Sequence, residues 1–293
     1  MSRSGAVAAV DGAATIVRYA LREAVRRRIF AVVVVLTVLF LALYGVGAHF
    51  AFRDARHFAG PQRVLDPTAF TGATIFGLAM FATLFLGAVL AVFLTLGVAR
   101  GDSESGLLQP LVVRPLGRGT LLGARFAGAA LFSSAYVLAV YLAALLITGL
   151  TGDWWPDHVV GPGLALAVGV VVVAAISLAC SVVLSATAQG IAVMMVYGAG
   201  LTAGLLGQIG HALDSHALKT IAQAATWALP FEALYQAGLH ALVSNTTGLT
   251  GAVLQLGPFG GSQAGSASLV VWSIAYVTGL LAIAMATFGR RDL

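Results

Sequence analysis

Residues Gly101–Phe126 read GDSESGLLQPLVVRPLGRGTLLGARF. The run holds two acids, three arginines and two prolines, while residues 67–99, up to Arg100 just before it, and residues 127–152 after it carry no charge. A break of this kind reads as a water-exposed loop between two membrane spans. Composition agrees: of 293 residues, 59% are apolar and 9% charged. Soluble domains average about 45–50% apolar and about 25% charged. A chain so poor in charge cannot cover its own surface in water, so the bilayer is its solvent.

A membrane helix needs about 20 apolar residues. Six runs qualify: 29–48, 71–99, 122–150, 161–187, 190–210 and 267–288. The second and third span roughly 43 Å as helices, beyond a hydrocarbon core of about 30 Å, so they must tilt or protrude. The first run follows Val25–Phe30, VRRRIF, as a secretory signal would. It is too long for a signal core of roughly 7–15 residues, however, and reads as an uncleaved span.

Orientation follows from Lys and Arg. With the N-terminus in the cytosol, residues 1–28 hold six Arg, 99–125 hold four and the tail holds two, twelve in all. The outer side holds Arg53, Arg56, Arg63 and Lys219. Twelve against four puts both termini in the cytoplasm. The net charge of +5 is thus topology, not a nucleic-acid surface, and no basic-aromatic interleaving suggests otherwise. Ahead of the first span, Val17, Ala20, Leu21, Ala24 and Val25 recur at helical spacing beside an Arg18, Arg22, Arg26 stripe. Residues 1–28 are expected to form an amphipathic helix in the headgroup layer.

Residues 211–266 form the longest outer segment. The stretch TIAQAATWALPFEALYQAGLHAL keeps helical periodicity on both sides of Pro230. Two short helices lying at, or dipping into, the outer face are expected there, followed by a Gly-, Ser- and Thr-rich connector. No internal repeat stands out. The expected fold is one all-α transmembrane domain, with residues 100–121 as its charged cytoplasmic loop.

Missing chemistry narrows the function. Apart from Arg125 at the edge of the third, no charge falls inside the six runs, whereas ion-coupled carriers usually need intramembrane acids or bases. The single lysine, Lys219, lies between SHAL and TIAQ, so there is no P-loop. No His-Glu-x-x-His or Gly-x-Ser-x-Gly motif occurs, so no catalytic residue or metal site is assigned. The histidines at 49, 57, 158, 211, 216 and 240 fall at or beyond the outer interface. Lone Cys180 excludes an internal disulfide.

On this topology the opening stretch joins two over-long helices. Asp102 and Glu104 come first, and Leu107, Leu108, Leu111 and Val112 could present an apolar ridge suited to a groove on another protein. The order Glu104, Gly106, Leu107, then Arg114-Pro115-Leu116-Gly117-Arg118, then Leu121-Leu122 and Arg125 resembles the intracellular loop of permease subunits of type-2 ABC exporters. It is most similar to the compact six-span group that includes the permease of the nitrous-oxide-reductase maturation system, with a type V exporter transmembrane domain. Two further stretches agree: Pro230 to Tyr235 resembles the family's Pro-x-x-x-x-Tyr element, and FGRRDL its C-terminal ending. Two departures stand: Ala124 replaces the usual Gly before the basic residue, and Pro110 falls within the expected coupling helix.

The resemblance implies a membrane permease whose coupling helix meets a separate ATPase. Asp102, Glu104, Arg114, Pro115, Arg118 and Arg125 would form the ATPase-coupling loop, and Pro230, Glu232 and Tyr235 an outer gate region. Two copies of this chain with two ATPase subunits would sit in the plasma (inner) membrane, with ATP and Mg in the ATPase and no cofactor here. Scattered Ser133, Ser134, Tyr136 and Thr202 suit amphipathic, drug-like or lipid-like cargo, and suit ordinary helix packing just as well. In Tyr197–Gly210, Gly200 and Gly204 are four apart, a shallow strip for close helix approach. Packing within one subunit and pairing of two copies both fit; the family's use of its first and fifth spans between subunits favours pairing. The alternatives are a non-transporting membrane scaffold and a membrane enzyme using the outer histidines.

Overall fold

The computed structural model describes residues 28–57, 66–96, 118–242 and 265–289. The expected N-terminal amphipathic helix, most of the charged loop, the Gly-rich connector and the C-terminal tail lie outside the described residues. Eight helices appear among the described residues: α1 Arg28–His57, α2 Pro67–Thr95, α3 Arg118–Gly152, α4 Val160–Val183, α5 Ala186–Ala212, α6 His216–Ala228, α7 Pro230–Leu242 and α8 Ala267–Gly289. No strand occurs among them. Six are long and apolar enough to cross a membrane: α1 to α5 and α8. The expected all-α membrane fold is borne out.

Local chemistry sets the helix ends. Asp66 caps α2 through its side chain, accepting from the backbone N–H of Thr68 at 3.0 Å and Ala69 at 3.3 Å. Pro67 then occupies the first turn, where its missing N–H costs nothing. α1 runs nine residues past the expected end at 48. Phe52, 1% exposed, lies flat against Gly152, and a β-carbon there would strike its ring. Arg56 Nη2 donates to the Thr151 carbonyl at 2.8 Å, satisfying an acceptor left over at the end of α3. α3 begins at Arg118, inside the expected loop, and spans 35 residues. At about 1.5 Å per residue it is roughly 52 Å long and must extend past a hydrocarbon core.

α4 is the central post, packing against α2, α3, α5, α7 and α8. Its most apolar window is 72% buried in the protein, against 17% for α1 and 11% for α8, so α1 and α8 leave most of their apolar surface to other partners. Where α2 and α3 cross, Gly87 leaves no room for a β-carbon beside Val137, and Val170 of α4 closes in at 3.3 Å. Phe76, Met80, Leu84, Val137, Tyr141, Leu166, Val170 and Val173 fill the shared core. Buried Thr83, Ser133 and Thr148 donate to carbonyls four residues back, so hydroxyls in these spans need no outside partner.

The bundle has two distinct ends. At the loop end α2 stops and α3 starts, and only Leu184 and Ser185 join α4 to α5. At the hairpin end α6 and α7 fold back on each other through Leu229. α7 runs antiparallel to α4: Phe231 lies against Gly169, whereas a β-carbon on Gly238 would lie 3.5 Å from Pro162. Gly169 is nine residues from the start of α4, so the tip of the hairpin reaches roughly 14 Å into the bundle. The two short helices are therefore re-entrant rather than lying flat.

Candidate functional site

The expected coupling residues Asp102, Glu104, Arg114 and Pro115 lie outside the described residues, as do Arg18, Arg22 and Arg26. Arg118 opens α3, and Arg125 is half-buried one helical stretch further on. At the end of α2, the structure builds a polar knot that the sequence reading missed. Gln189 Nε2 of α5 donates to the Thr95 carbonyl at 3.1 Å, the Ser177 carbonyl at 3.0 Å and the Ser177 hydroxyl at 3.0 Å. Thr95 Oγ1 in turn donates to Ser177 Oγ at 2.7 Å. All three side chains are fully buried. The knot ties the last turn of α2, from which the charged loop departs, to the α4–α5 hairpin. The sequence signal is a glutamine one residue outside the apolar run 190–210.

The second polar cluster lies at the hairpin tip. Glu232, in the first turn of α7, is 5% exposed. Its carboxyl occupies the space that a β-carbon on Gly204 of α5 would fill. Gln236, one turn on, donates from Nε2 to Glu232 Oε1 at 2.9 Å. Among the described residues no cation pairs with this acid. Burial pushes the Glu232 carboxyl up to about 7, and the Gln236 hydrogen bond pulls back only part of that. One step deeper, Phe231 wedges into the notch at Gly200, where a β-carbon would lie 2.5 Å from the ring. Phe231 also stacks on Tyr197, ring centroids 5.2 Å apart. The Tyr197 hydroxyl is buried and lacks a hydrogen-bond partner. The Tyr235 hydroxyl makes only a long 3.4 Å contact to the Gly77 carbonyl. Burial first, then Tyr197 and Glu232 nearby, push its phenol above the usual range.

Pro230, Glu232 and Tyr235 are thus brought together in one buried tip. Gly200 and Gly204 are corrected as a strip for a second copy: both face α7 of the same chain, because Phe231 and Glu232 need the room. The opposite side of α5 is exposed, with Ile191, Met195, Gly198, Ala199, Thr202, Leu205 and Ile209 on one stripe. Ser134 and Thr202 are also placed: Ser134 lines an apolar groove of about 310 Å³ between α3, α4 and α8, whereas Thr202 is outside it. Among the described residues no group of three His, Cys, Asp or Glu could hold a metal ion.

Six long apolar helices, a re-entrant pair before the last of them and a charged loop between the second and third make this a multi-pass membrane permease architecture. None of the curated proteins compared matches the chain. The family described as ABC-2 family transporter protein matches residues 14–293, nearly the whole length. The chain belongs to the ABC-2 family of transporter proteins, as a membrane-spanning permease subunit.

Proposed function

We propose that this permease is the membrane half of an ATP-driven exporter, powered by a separate ABC ATPase through residues 101–126. The family match carries the reading. The buried Thr95–Ser177–Gln189 knot supports it, because a push on the loop at the end of α2 would reach α4 and α5 without slack. Asp102, Glu104, Arg114, Pro115, Arg118 and Arg125 are the proposed contacts with the ATPase, and Arg18, Arg22 and Arg26 a proposed brace in the headgroup layer. ATP and Mg act in the ATPase. Both termini face the cytoplasm of the plasma membrane, following the twelve-to-four count of basic residues.

The cargo proposed is amphipathic, drug-like or lipid-like, and the likeness to the nitrous-oxide-reductase maturation group belongs to this proposal. Two copies would pair along a pathway, with the exposed stripe of α5 as the meeting surface. The purified chain alone should hydrolyse no ATP. Co-purified with a P-loop ATPase encoded beside it and reconstituted in vesicles, it should drive ATP-dependent movement of an amphipathic dye. Failure to bind any such ATPase would favour the scaffold reading.

A further inference from the structure

We infer that Glu232 is a proton-binding site that latches the α6–α7 hairpin onto α5. Three geometric facts carry this. The acid is buried against Gly204, which has no side chain to give way. Its identified side-chain hydrogen-bond donor is one neutral amide, Gln236 Nε2 at 2.9 Å. The hairpin that carries it is held by contacts to other helices, since it enters and leaves the bundle at the same end. A buried carboxylate needs a cation or several donors to offset its lost hydration, and a neutral acid does not.

The groups around Glu232 offer no substitute charge. On α7 itself are Tyr235 and, two turns further out, His240. α5 contributes Tyr197 over residues 186–210, and α2 has no titratable residue over 67–95. α4 carries only Cys180, near its loop end, and α8 carries Tyr276. On α6, His216 and Lys219 sit at the far end, where Lys219 pairs with Asp214 at 2.5 Å. The tip is therefore tight when Glu232 is neutral and carries an uncompensated anion when it is not.

Docking takes up one proton from water at the hairpin end, and release returns it. The released carboxyl has its ordinary value of 4.5, the docked one about 7. The docked state binds the proton more tightly, so its advantage is full below the first value and is lost as pH rises through the second. The Tyr197 hydroxyl, buried without a partner, marks a tip whose polar groups are not all satisfied in the docked arrangement. The inference concerns this chain alone and stands apart from whether an ATPase drives it.

The test uses the full chain in lipid nanodiscs with Cys180→Ser and Ala222→Cys. Ala222 is 8% exposed and packs on Gly207, between hairpin and α5. Maleimide labelling is normalised, at each pH, to the same thiol in denatured protein. Labelling should rise roughly tenfold from one pH unit below to one above the docked value, and be low and pH-independent with Glu232→Gln. Infrared difference spectra of the chain without the added cysteine should show a protonated-carboxyl band that fades over the same range and is absent from Glu232→Gln. A pH response that survives Glu232→Gln, or no titrating band at Glu232, overturns the inference.

Discussion

The carboxyl of Glu232 occupies the position that a β-carbon on Gly204 would take, so an acid on α7 and a glycine on α5 form one fitted contact. Gly204→Ala must therefore expel the acid from its place beside Gln236. Overpacking of this kind costs about 1–3 kcal/mol, and here it also breaks a buried hydrogen bond. Gly204→Ala should lower the apparent unfolding temperature and expose the hairpin to protease in detergent. The double variant with Glu232→Ala, which vacates the space, should recover much of the loss. A Gly204→Ala chain as stable as the parent would mean that the hairpin tip is not seated on α5.

At the other end of the bundle Gln189 holds carbonyls on two helices at once. Hydrogen bonds between membrane helices average about 0.6 kcal/mol each, and the Gln189 amide has two N–H protons to share among its three contacts, so it contributes about 1 kcal/mol. Gln189→Leu keeps the volume and loses the donors. Gln189→Glu keeps the shape but sets oxygen against the Thr95 and Ser177 carbonyls, so it should be the worse of the two. If the knot passes the loop's motion on, Gln189→Leu should lower transport per ATP hydrolysed while leaving assembly with the ATPase intact. Unchanged coupling in a folded Gln189→Leu permease would confine the knot to stability.

The six spans were legible because a run of about 20 apolar residues has little alternative in lipid. Their ends were less so. α1 was expected to stop at 48, where polar residues begin, yet Phe52 and Arg56 find partners on α3 about 100 positions away, which no local pattern discloses. The helical pair around Pro230 was legible from periodicity. The burial of Glu232 was not, because an acid in the first turn of a short helix normally faces water and favours the helix start from there. Its partner Gly204 was legible only as a small residue, and spacing alone does not say which helix fills the groove it leaves. Gln189 was lost to a boundary drawn one residue too late.

The charged loop is tested by topology and by charge reversal. In a Cys180→Ser background, an impermeant thiol reagent outside intact cells should label Ser244→Cys and not Ser103→Cys. Glu104→Arg or Arg118→Glu should weaken ATPase assembly or stimulated hydrolysis. The loss should reach about 3–5 kcal/mol if the partner charge is buried in the complex, and about 1 or less if it stays exposed. Reversal without effect on either would make the loop an ordinary connection between spans.

Pairing of two copies should depend on the side of α5 turned away from the hairpin. Gly198 has open space beyond its α-carbon, and Ala199 and Thr202 continue the small stripe between Met195 and Leu205. Small residues let helix backbones approach closely, and in lipid such packing must supply what the hydrophobic effect supplies in water. Gly198→Ile with Thr202→Ile should weaken the cross-linked dimer by at least about tenfold, which is about 1.4 kcal/mol, and leave the hairpin protected from protease. Gly200→Ile should do the reverse, because its β-carbon meets the Phe231 ring at 2.5 Å within the same chain. The two variants differ by two positions, a rotation of roughly 200° on a helix of 3.6 residues per turn. An undiminished dimer band in the first variant would move the pairing surface off α5, toward the exposed faces of α1 or α8.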